Sequence, residues 1–396
     1  MTGEEQGSGV MALYADGFAA WLAGRGYAPS TIEKQLRLMR RLGQWLADER
    51  MLPEALDGNA AGRFALSVRP AGRKRPGACG AAALLEYLRG TGAVPPEPSP
   101  LSDSPRQRLL AAYERYLSGE RSLSPPTIAK YAHIAVAFLD TLPGPVDDAL
   151  AGLSAAQVHG FLLGRGTGAK SISGGLRALL RYLFLTGGTS RQLAGAVPPA
   201  ASWKLVGLPG RMDAAAVSAV TGSCDRATVT GQRDYAILLL LARLGLRAHE
   251  AAGLELGDIR WRQGTIVVRR KGGRSEELPL PADAGQAIAD YLAVRPAVRG
   301  TRAVFISAAA PLRPVTRSAV TLLARRHCRA AGATGGAHLL RHTLASDLLA
   351  AGASLPEIGL VLGHRSPLVT SIYAKADRAA LAQLVRPWPA AGTAGS

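Results

Sequence analysis

The spacing of apolar residues predicts helices along most of this chain. Ile128, Tyr131, Ala135 and Phe138, for example, recur at intervals of three and four and so share one face of a helix. Residues 257–281 differ, because apolar and polar residues alternate there and glycines mark the turns. That pattern predicts three short antiparallel strands joined by tight turns. We therefore expect a mainly α-helical protein with a small antiparallel β-sheet, which is an α+β fold.

Two further signals place helices around this sheet. Asp213 suits the position just before a helix in "MDAAAVSAV", because its carboxylate can accept hydrogen bonds from the first free backbone N–H groups. A long apolar run predicts a helix over residues 232–244. Beyond the sheet, helices are expected to resume and to continue to about residue 385.

The front half of the chain contains an internal repeat. "ALLEYLRGTG" at 83–92 matches "ALLRYLFLTG" at 178–187, an interval of 95 residues. Two further matches keep the same order and almost the same interval. We therefore predict two copies of one helical module, at residues 11–93 and 106–198.

Proline-rich and serine-rich segments separate these modules from each other and from a third unit of different composition. The predicted organisation is a flexible N-terminus at 1–10, module 11–93, a linker at 94–105, module 106–198, a linker at 199–210, a catalytic unit at 211–385 and a flexible tail at 386–396.

Charge indicates the kind of partner. The 396 residues include 47 Lys+Arg against 29 Asp+Glu, a net charge of +18. A GC-rich genome explains arginine in place of lysine, but it does not explain the shortage of acidic residues. An excess of this size favours binding to a polyanion, and nucleic acid is the commonest one.

The cysteines and the apolar runs indicate where the protein works. Cys79, Cys224 and Cys328 lie far apart and form no CxxC motif, which argues against a disulfide framework and for a reducing compartment. The first ten residues are polar and acidic, unlike a signal peptide. The longest apolar run, 235–242, is too short to cross a bilayer. We expect a cytoplasmic protein with no membrane partner.

Two motif-like patterns carry little weight. "GRGTGAKS" at 164–171 resembles a phosphate-binding loop, but Ala169 stands where that motif needs glycine, and a helical pattern precedes it in place of a strand. His338 and His342 have the spacing of zinc ligands, but Arg341 lies between them and a cation opposes metal binding. We therefore predict neither a nucleotide site nor a metal site, and no cofactor.

One ordered set of residues carries specific chemistry. Its members are Arg247, Lys271, His338, Arg341, His364 and Tyr373. The order Arg, Lys, His-x-x-Arg, His, Tyr, with the flanking motifs "GLRAHE", "LRHT" and "LGH", strongly resembles the tyrosine recombinase family, which includes phage integrases and Xer-like enzymes. The resemblance covers about residues 211–380, and module 106–198 is similar to that family's core-binding domain.

The chemistry of phosphodiester cleavage fits these residue types. Cleavage without a metal requires a nucleophile, a proton donor for the leaving oxygen and neutralisation of the phosphoryl charge. Arginine offers a planar fork to two phosphate oxygens, which lysine cannot reproduce. The resemblance implies that Arg247 and Arg341 clamp the scissile phosphate and that Tyr373 attacks it to form a 3′-phosphotyrosine.

The resemblance implies supporting roles for the remaining residues. Lys271 would protonate the 5′-oxygen, His338 would be an acid/base partner, and His364 would hydrogen-bond the phosphate. Glu250 would orient the Arg247 region, whereas His342 is assigned a structural role. Candidate DNA-binding residues outside this set are Thr127, Lys130, Arg165, Lys170, Arg269, Arg270 and Arg274.

By resemblance, the predicted function is site-specific breakage and rejoining of double-stranded DNA, without metal or ATP. The family acts as a tetramer on two paired sites, so a homo-oligomer on the nucleoid is expected, and a related recombinase or a directionality factor is a possible partner. Two alternatives remain open: an enzyme like type IB topoisomerases, or a DNA-binding subunit that depends on a partner recombinase. The extra module 11–93 departs from the family pattern and is either a further DNA clamp or a protein-contact domain.

Overall fold

A computed structural model describes residues 11–68, 81–96, 104–166, 169–199, 210–270, 273–364 and 366–373. By its internal contacts the chain forms two compact units, Met1–Leu13 with Met39–Trp203, and Tyr14–Leu38 with Lys204–Ser396. None of the described helices combines the length and apolar character needed to cross a membrane.

The front half of the chain is helical. Its α-helices are α1 (Ala15–Gly24), α2 (Pro29–Asp48), α3 (Gly58–Ser67), α4 (Ala82–Gly90), α5 (Pro105–Gly119), α6 (Pro125–Leu139), α7 (Val146–Ala151), α8 (Ala155–Leu163) and α9 (Ala169–Leu185). Ser154 caps α8 in a capping box with Gln157, which satisfies backbone N–H groups at that end. The buried faces of α5, α6, α8 and α9 pack together in one apolar cluster that includes Tyr113, Phe138 and Phe161.

Helix boundaries in the two predicted repeats recur at the interval found in the sequence. Gly24 and Gly119 end α1 and α5, and they lie 95 residues apart. Pro29 and Pro125 begin α2 and α6, and they lie 96 residues apart. Two copies of one module would place equivalent helices at such an interval, and these boundaries agree with that. The repeat itself stays a prediction.

Residues of the first predicted module, 11–93, occur in both compact units. Residues 14–38 group with the C-terminal part of the chain. One contact within that group is the hydrogen bond from Leu312 N to Arg25 O, 2.9 Å long. In the structure α1 and the first half of α2 group with the C-terminal unit, and the module boundaries stay a prediction.

The C-terminal unit surrounds a buried helix with further helices and one small sheet. Besides α1 and the first half of α2, its elements are α10 (Ala214–Gly222), α11 (Val229–Arg243), α12 (Ala248–Ala252), β1 (Ile259–Arg260), β2 (Thr265–Arg269), β3 (Ser275–Pro279), α13 (Ala282–Val294), α14 (Arg317–Ala330), α15 (Ala337–Ala350), α16 (Leu355–Leu362) and α17 (Pro367–Thr370). Asp213 caps α10 as expected, its carboxylate accepting from Ala216 N at 2.6 Å. Helix α11 begins at Val229, three residues before the predicted start, because the Thr228 hydroxyl caps it.

The predicted meander is confirmed. The strands are antiparallel in the order β1-β2-β3, with Ile266 opposite Leu278. Ile266 and Val268 are buried in the core, and Arg269, the next residue after Val268, is exposed. The expected fold class, mainly helical with a small antiparallel sheet, is therefore confirmed.

Candidate functional site

Arg247 stands at the start of α12, directly after a sharp turn. Gly245 makes that turn with φ of 59°, where a side chain would meet Leu344 and Leu362. The carboxylate of Glu250 accepts from the Arg247 backbone N–H at 2.8 Å and from its Nη1 at 2.7 Å. The guanidinium is held at one edge, and about a quarter of the side chain (27%) stays exposed for a ligand.

Glu250 also fixes the hairpin that follows β2. The Arg270 guanidinium donates to Glu250 Oε2 at 3.0 Å, to Glu276 Oε2 at 2.8 Å and to the Val361 carbonyl at 3.0 Å. Burial opposes ionisation of Glu250, but the hydrogen bonds from Arg247 and the charges of Arg270 and Arg247 outweigh it and lower the pKa of this carboxyl. One carboxylate therefore positions both Arg247 and the β2–β3 hairpin.

Arg270, one of the expected DNA-binding residues, is buried and ion-paired in the structure. Its side chain is only 6% exposed, and its guanidinium lies between two carboxylates. Its guanidinium already donates to Glu250, Glu276 and the Val361 carbonyl, so a DNA phosphate would have to compete with these partners. Arg270 is a structural ion-pair residue in this fold.

Arg341 lies on α15 and is almost completely buried. Its guanidinium donates to the backbone carbonyls of Gly245 and Leu362. Burial and the neighbouring Arg247 lower its pKa to about 10, so it stays cationic at neutral pH. These two bonds join the turn before Arg247 to the end of α16, which brings the two arginines into one site.

His364 follows the left-handed Gly363 that ends α16. Its Nδ1 lies 2.8 Å from the hydroxyl of Thr370, which is buried. Burial, together with the charges of Arg341, Arg247 and Arg270, lowers the pKa of His364 to about 4. At neutral pH this imidazole is therefore uncharged, and it can offer a phosphate a hydrogen bond but not a positive charge.

Tyr373 is buried, with 1% of its surface exposed, among Ala345, Ile358 and Leu362. Its hydroxyl lies 2.7 Å from His342 Nδ1. Burial raises the pKa of Tyr373, while the charges of Arg341 and Arg247 oppose that rise. The hydroxyl is thus close enough to the two arginines to sense their charge, and it is covered from solvent.

A cavity of about 910 Å³ opens beside the arginine pair. Arg247, Arg341 and His338 line it, and burial and the charges of Arg341, Arg247 and Arg317 lower the pKa of His338. Helix α14 forms another wall of this cavity. The residues that it contributes, four apart along one face, are Arg317, Thr321, Arg325 and Arg329.

A second, smaller cavity of about 210 Å³ lies on the hairpin side of Arg247. Arg247, His249, Arg274 and His364 are among its lining residues. Arg270 and Arg274 both line this cavity, and of these two hairpin arginines Arg274 is the exposed one. Arg269 instead donates to Asp258 at 2.8 Å and to Glu255 at 3.2 Å on the outer face of the sheet.

The other candidate residues belong to the other compact unit or lie outside the described part of the chain. The side chains of Lys130 and Arg165 are exposed, and Arg165 stacks over the Phe161 ring at 5.0 Å. The Thr127 hydroxyl lies 3.0 Å from that of Ser124 at the start of α6. Lys271 lies outside the described residues, and so does the Lys170 side chain.

Sequence reasoning missed two features of this site. His342 contacts Tyr373, although only its position four residues after His338, on the same helical face, hinted at a role. The basic row of α14 was also missed, although its spacing of four is visible in the sequence. In both cases the signal is polar residues spaced four apart, which places them on one face of a helix.

The arrangement defines a class of site. Two arginines brought together at a basic cavity, with neutral histidines and a tyrosine beside them, form a site for a phosphate group and a nucleophile. Such a site suits phosphoryl transfer.

Comparisons with known proteins identify the family. The model of the phage integrase family matches residues 211–379. The chain is 40% identical to the putative integrase/recombinase y4rA of Sinorhizobium fredii, over 96% of this chain and 95% of that protein. It is 33% identical to the tyrosine recombinase XerC of Mesorhizobium japonicum, over 70% of this chain and 94% of that one.

A solved structure shares the fold. The XerH site-specific recombinase bound to a palindromic difH substrate is similar with a TM-score of 0.54 and 19% identity, over 69% of this chain and 83% of that one. The sequence relatives show that the chain belongs to the tyrosine recombinase family, whose members are enzymes that break and rejoin DNA strands.

Proposed function

We propose that this protein is a site-specific DNA recombinase that cleaves double-stranded DNA with Tyr373 and rejoins it through a 3′-phosphotyrosine. The observation that carries the proposal is the convergence of Arg247 and Arg341 beside the Tyr373 hydroxyl, where both charges act on it. The reaction would use neither metal nor ATP, since the covalent bond conserves the energy of the broken phosphodiester. A free 5′-hydroxyl then reseals the strand.

The two arginines would bind the non-bridging oxygens of the scissile phosphate. Arg341 is fixed by two backbone carbonyls and Arg247 by Glu250, so neither needs to reorganise when charge develops on the phosphate. The Tyr373 hydroxyl must be uncovered before it can attack, because it is buried in this structure. DNA binding and assembly of a tetramer on paired sites would supply that change.

Proton transfer at the leaving oxygen falls to Lys271 in this proposal. The lysine follows Arg270, whose ion pair with Glu250 anchors the hairpin next to Arg247. His338 at the cavity would assist as an acid/base partner. His364, uncharged at neutral pH, would donate a hydrogen bond to the phosphate.

DNA would follow the basic wall formed by α14. We expect Arg325→Gln to lower DNA affinity and to reduce the slope of log affinity against log salt by about 0.9, the value for loss of one phosphate contact. Titration of a labelled duplex at several salt concentrations measures that slope.

Arg243→Gln is the matched control for this prediction. Arg243 also lies on a helix of the same unit, but its Nε donates to Asp283 at 2.9 Å and it lines neither cavity described above. Its slope should match the wild type. Equal slopes for Arg325→Gln and the wild type would show that α14 does not follow the DNA backbone.

The proposed function is tested by trapping the covalent intermediate. The wild-type protein is incubated, with a chelator and without ATP, with a nicked duplex carrying a candidate attachment site from the DNA that flanks its gene. We expect a denaturant-resistant adduct, and peptide mapping should place the DNA on Tyr373. No adduct on DNA that the protein demonstrably binds would instead favour a DNA-binding subunit that needs a partner recombinase.

The same adduct would also form in an enzyme like type IB topoisomerases, so a second readout is required. A recombinase joins strands from two duplexes, and we expect recombinant junctions between two labelled sites. Relaxation of supercoiled plasmid without any junction would support the topoisomerase alternative.

A further inference from the structure

His342 on α15 contacts both Tyr373 and His338. Its Nδ1 is 2.7 Å from the Tyr373 hydroxyl, and the two rings are 5.6 Å apart between centroids. The His338 ring is 6.5 Å from that of His342, one helical turn earlier. The contact joins residues 31 positions apart in the chain, so it is made by the packing of the C-terminal segment against α15.

The direction of this hydrogen bond follows from burial. Tyr373 is 1% exposed, so the proton of its hydroxyl has no access to water and needs a protein acceptor. An unprotonated Nδ1 is such an acceptor, and it requires the neutral imidazole with its proton on Nε2. The alternative, in which Nδ1–H donates, would leave the buried hydroxyl proton without this partner.

The surroundings of His342 favour that neutral form. Burial lowers its pKa, and the charged or titratable neighbours on its own helix, His338 and Arg341, lower it further. Tyr373 faces it from the segment after α17. At neutral pH the imidazole is thus an uncharged acceptor placed against a phenol.

We propose that His342 is the catalytic base that takes the phenolic proton of Tyr373 as its oxygen attacks the DNA. The inference rests on the proposed function, in which Tyr373 is the nucleophile. In the step, a bond forms between Tyr373 Oη and phosphorus while the bond from phosphorus to the 5′-oxygen breaks. The phenolic proton moves to His342 Nδ1, and the 5′-oxygen receives a proton from Lys271, so that resealing is the reverse of the same transfers.

Substrate binding would switch this base on. Without DNA the positive charge of Arg341 disfavours a second cation at His342. A bound phosphate brings negative charge to the arginines, which reduces that repulsion and makes Nδ1 more basic. The nucleophile would therefore lose its proton when a phosphate is present to be attacked.

His338 is less suited to this transfer, although it is the histidine that family resemblance favours. His342 is the histidine whose ring nitrogen lies 2.7 Å from the Tyr373 hydroxyl, whereas His338 is exposed at the cavity. This position suits contact with the DNA. The geometry therefore assigns different partners to the two histidines, DNA to His338 and the nucleophile to His342.

The test compares His342→Asn with the wild type in single-turnover adduct formation. Asparagine keeps a hydrogen-bond acceptor near the position of Nδ1 but cannot take the proton at neutral pH. We expect cleavage about 10²–10⁴-fold slower, with DNA affinity retained. The wild-type rate should fall at low pH as the imidazole becomes protonated, and that fall should be absent in the variant.

A substrate with sulfur in place of the 5′-oxygen distinguishes loss of the base that activates Tyr373 from loss of the acid that protonates the leaving group. The sulfur leaves as a thiolate without a proton, so it should restore a variant that lost the leaving-group acid, such as Lys271→Ala, but not His342→Asn. Restoration of His342→Asn by this substrate would overturn the proposal.

His327→Asn is the matched control. His327 is buried in the same unit, and its Nδ1 also lies 2.7 Å from a hydroxyl, that of Ser223. The His327→Asn variant should cleave DNA at the wild-type rate. If His342→Asn folds poorly, His342→Gln provides a second variant. A His342→Asn rate within about threefold of the wild type and with the same pH profile would overturn this inference but leave the Tyr373 adduct in place. Absence of the adduct in the wild type would overturn both.

Discussion

Tyr373→Phe is expected to abolish the covalent DNA adduct while leaving DNA affinity within about threefold of the wild type. The variant removes one oxygen atom, the proposed nucleophile, and phenylalanine fills the same buried site among Ala345, Ile358 and Leu362. The ring is covered from solvent, so its hydroxyl contributes little to DNA binding in the resting structure. Adduct formation on a nicked duplex and binding to the same duplex, measured side by side, check both parts.

Tyr291→Phe controls for the loss of a buried hydroxyl. Tyr291 is also 1% exposed, and its oxygen accepts a hydrogen bond from Ile306 N at 3.1 Å in the core of the same unit. Each variant removes a buried hydroxyl and leaves its hydrogen-bond partner unpaired, so both should lower the free energy of unfolding by about 1–3 kcal/mol. The Tyr291→Phe control should nevertheless form the adduct. An adduct formed by Tyr373→Phe would assign the nucleophile to another residue.

Glu250→Gln is expected to destabilise the C-terminal unit by about 3–5 kcal/mol, the usual cost of breaking a buried ion pair. The carboxylate is buried and binds both Arg247 and Arg270, and Arg270 is itself buried. A neutral amide leaves that second guanidinium without its full counter-charge. Hydrogen exchange in peptides that cover α11 under increasing denaturant measures the free energy of unfolding of this unit.

Glu276→Gln is the control for that variant. Glu276 pairs with the same Arg270 but is 29% exposed, so water compensates for the lost charge and we expect a cost of about 1 kcal/mol or less. Equal costs for the two variants would contradict the central role of Glu250.

The lowered pKa of Glu250 also predicts how its contribution varies with pH. A carboxyl whose pKa is lower in the folded than in the unfolded state stabilises the fold fully above its ordinary value of 4.5, and this stabilisation is lost as the pH falls through the folded value. The wild type should therefore lose stability more steeply than Glu250→Gln as the pH falls below about 4.5.

Much of the fold could be predicted because local pattern determined it. Alternation along 265–269 identified β2, and Asp213 marked the start of α10. The same alternation places Arg270 on the inward face with Ile266 and Val268, although its charge made DNA binding the natural expectation. The charge is buried because Glu250, 20 residues earlier in the chain, supplies the counter-charge, and local pattern does not show that pairing.

The site could be predicted only as a set of residue types. Arg247, Arg341 and Tyr373 were identified by motif, but their states depend on contacts between distant segments. Arg341 is held by Gly245, 96 residues earlier, and Tyr373 by His342, 31 residues earlier. Burial and hydrogen bonding of this kind come from tertiary packing, which spacing in the sequence does not report.

The carboxylate shared by Arg247 and Arg270 limits how the β2–β3 hairpin can be exchanged among recombinases. A hairpin transplanted from a relative would bring its own turn and its own lysine, but it would dock correctly only with a cation at position 270 facing Glu250. An engineered chimera should therefore carry Arg270 and Glu276 together with the turn. If the turn alone were grafted into a scaffold without Arg270 and Glu276, the Glu250 carboxylate would lose one of its two partners. The orientation of Arg247, which binds the same carboxylate, would then change.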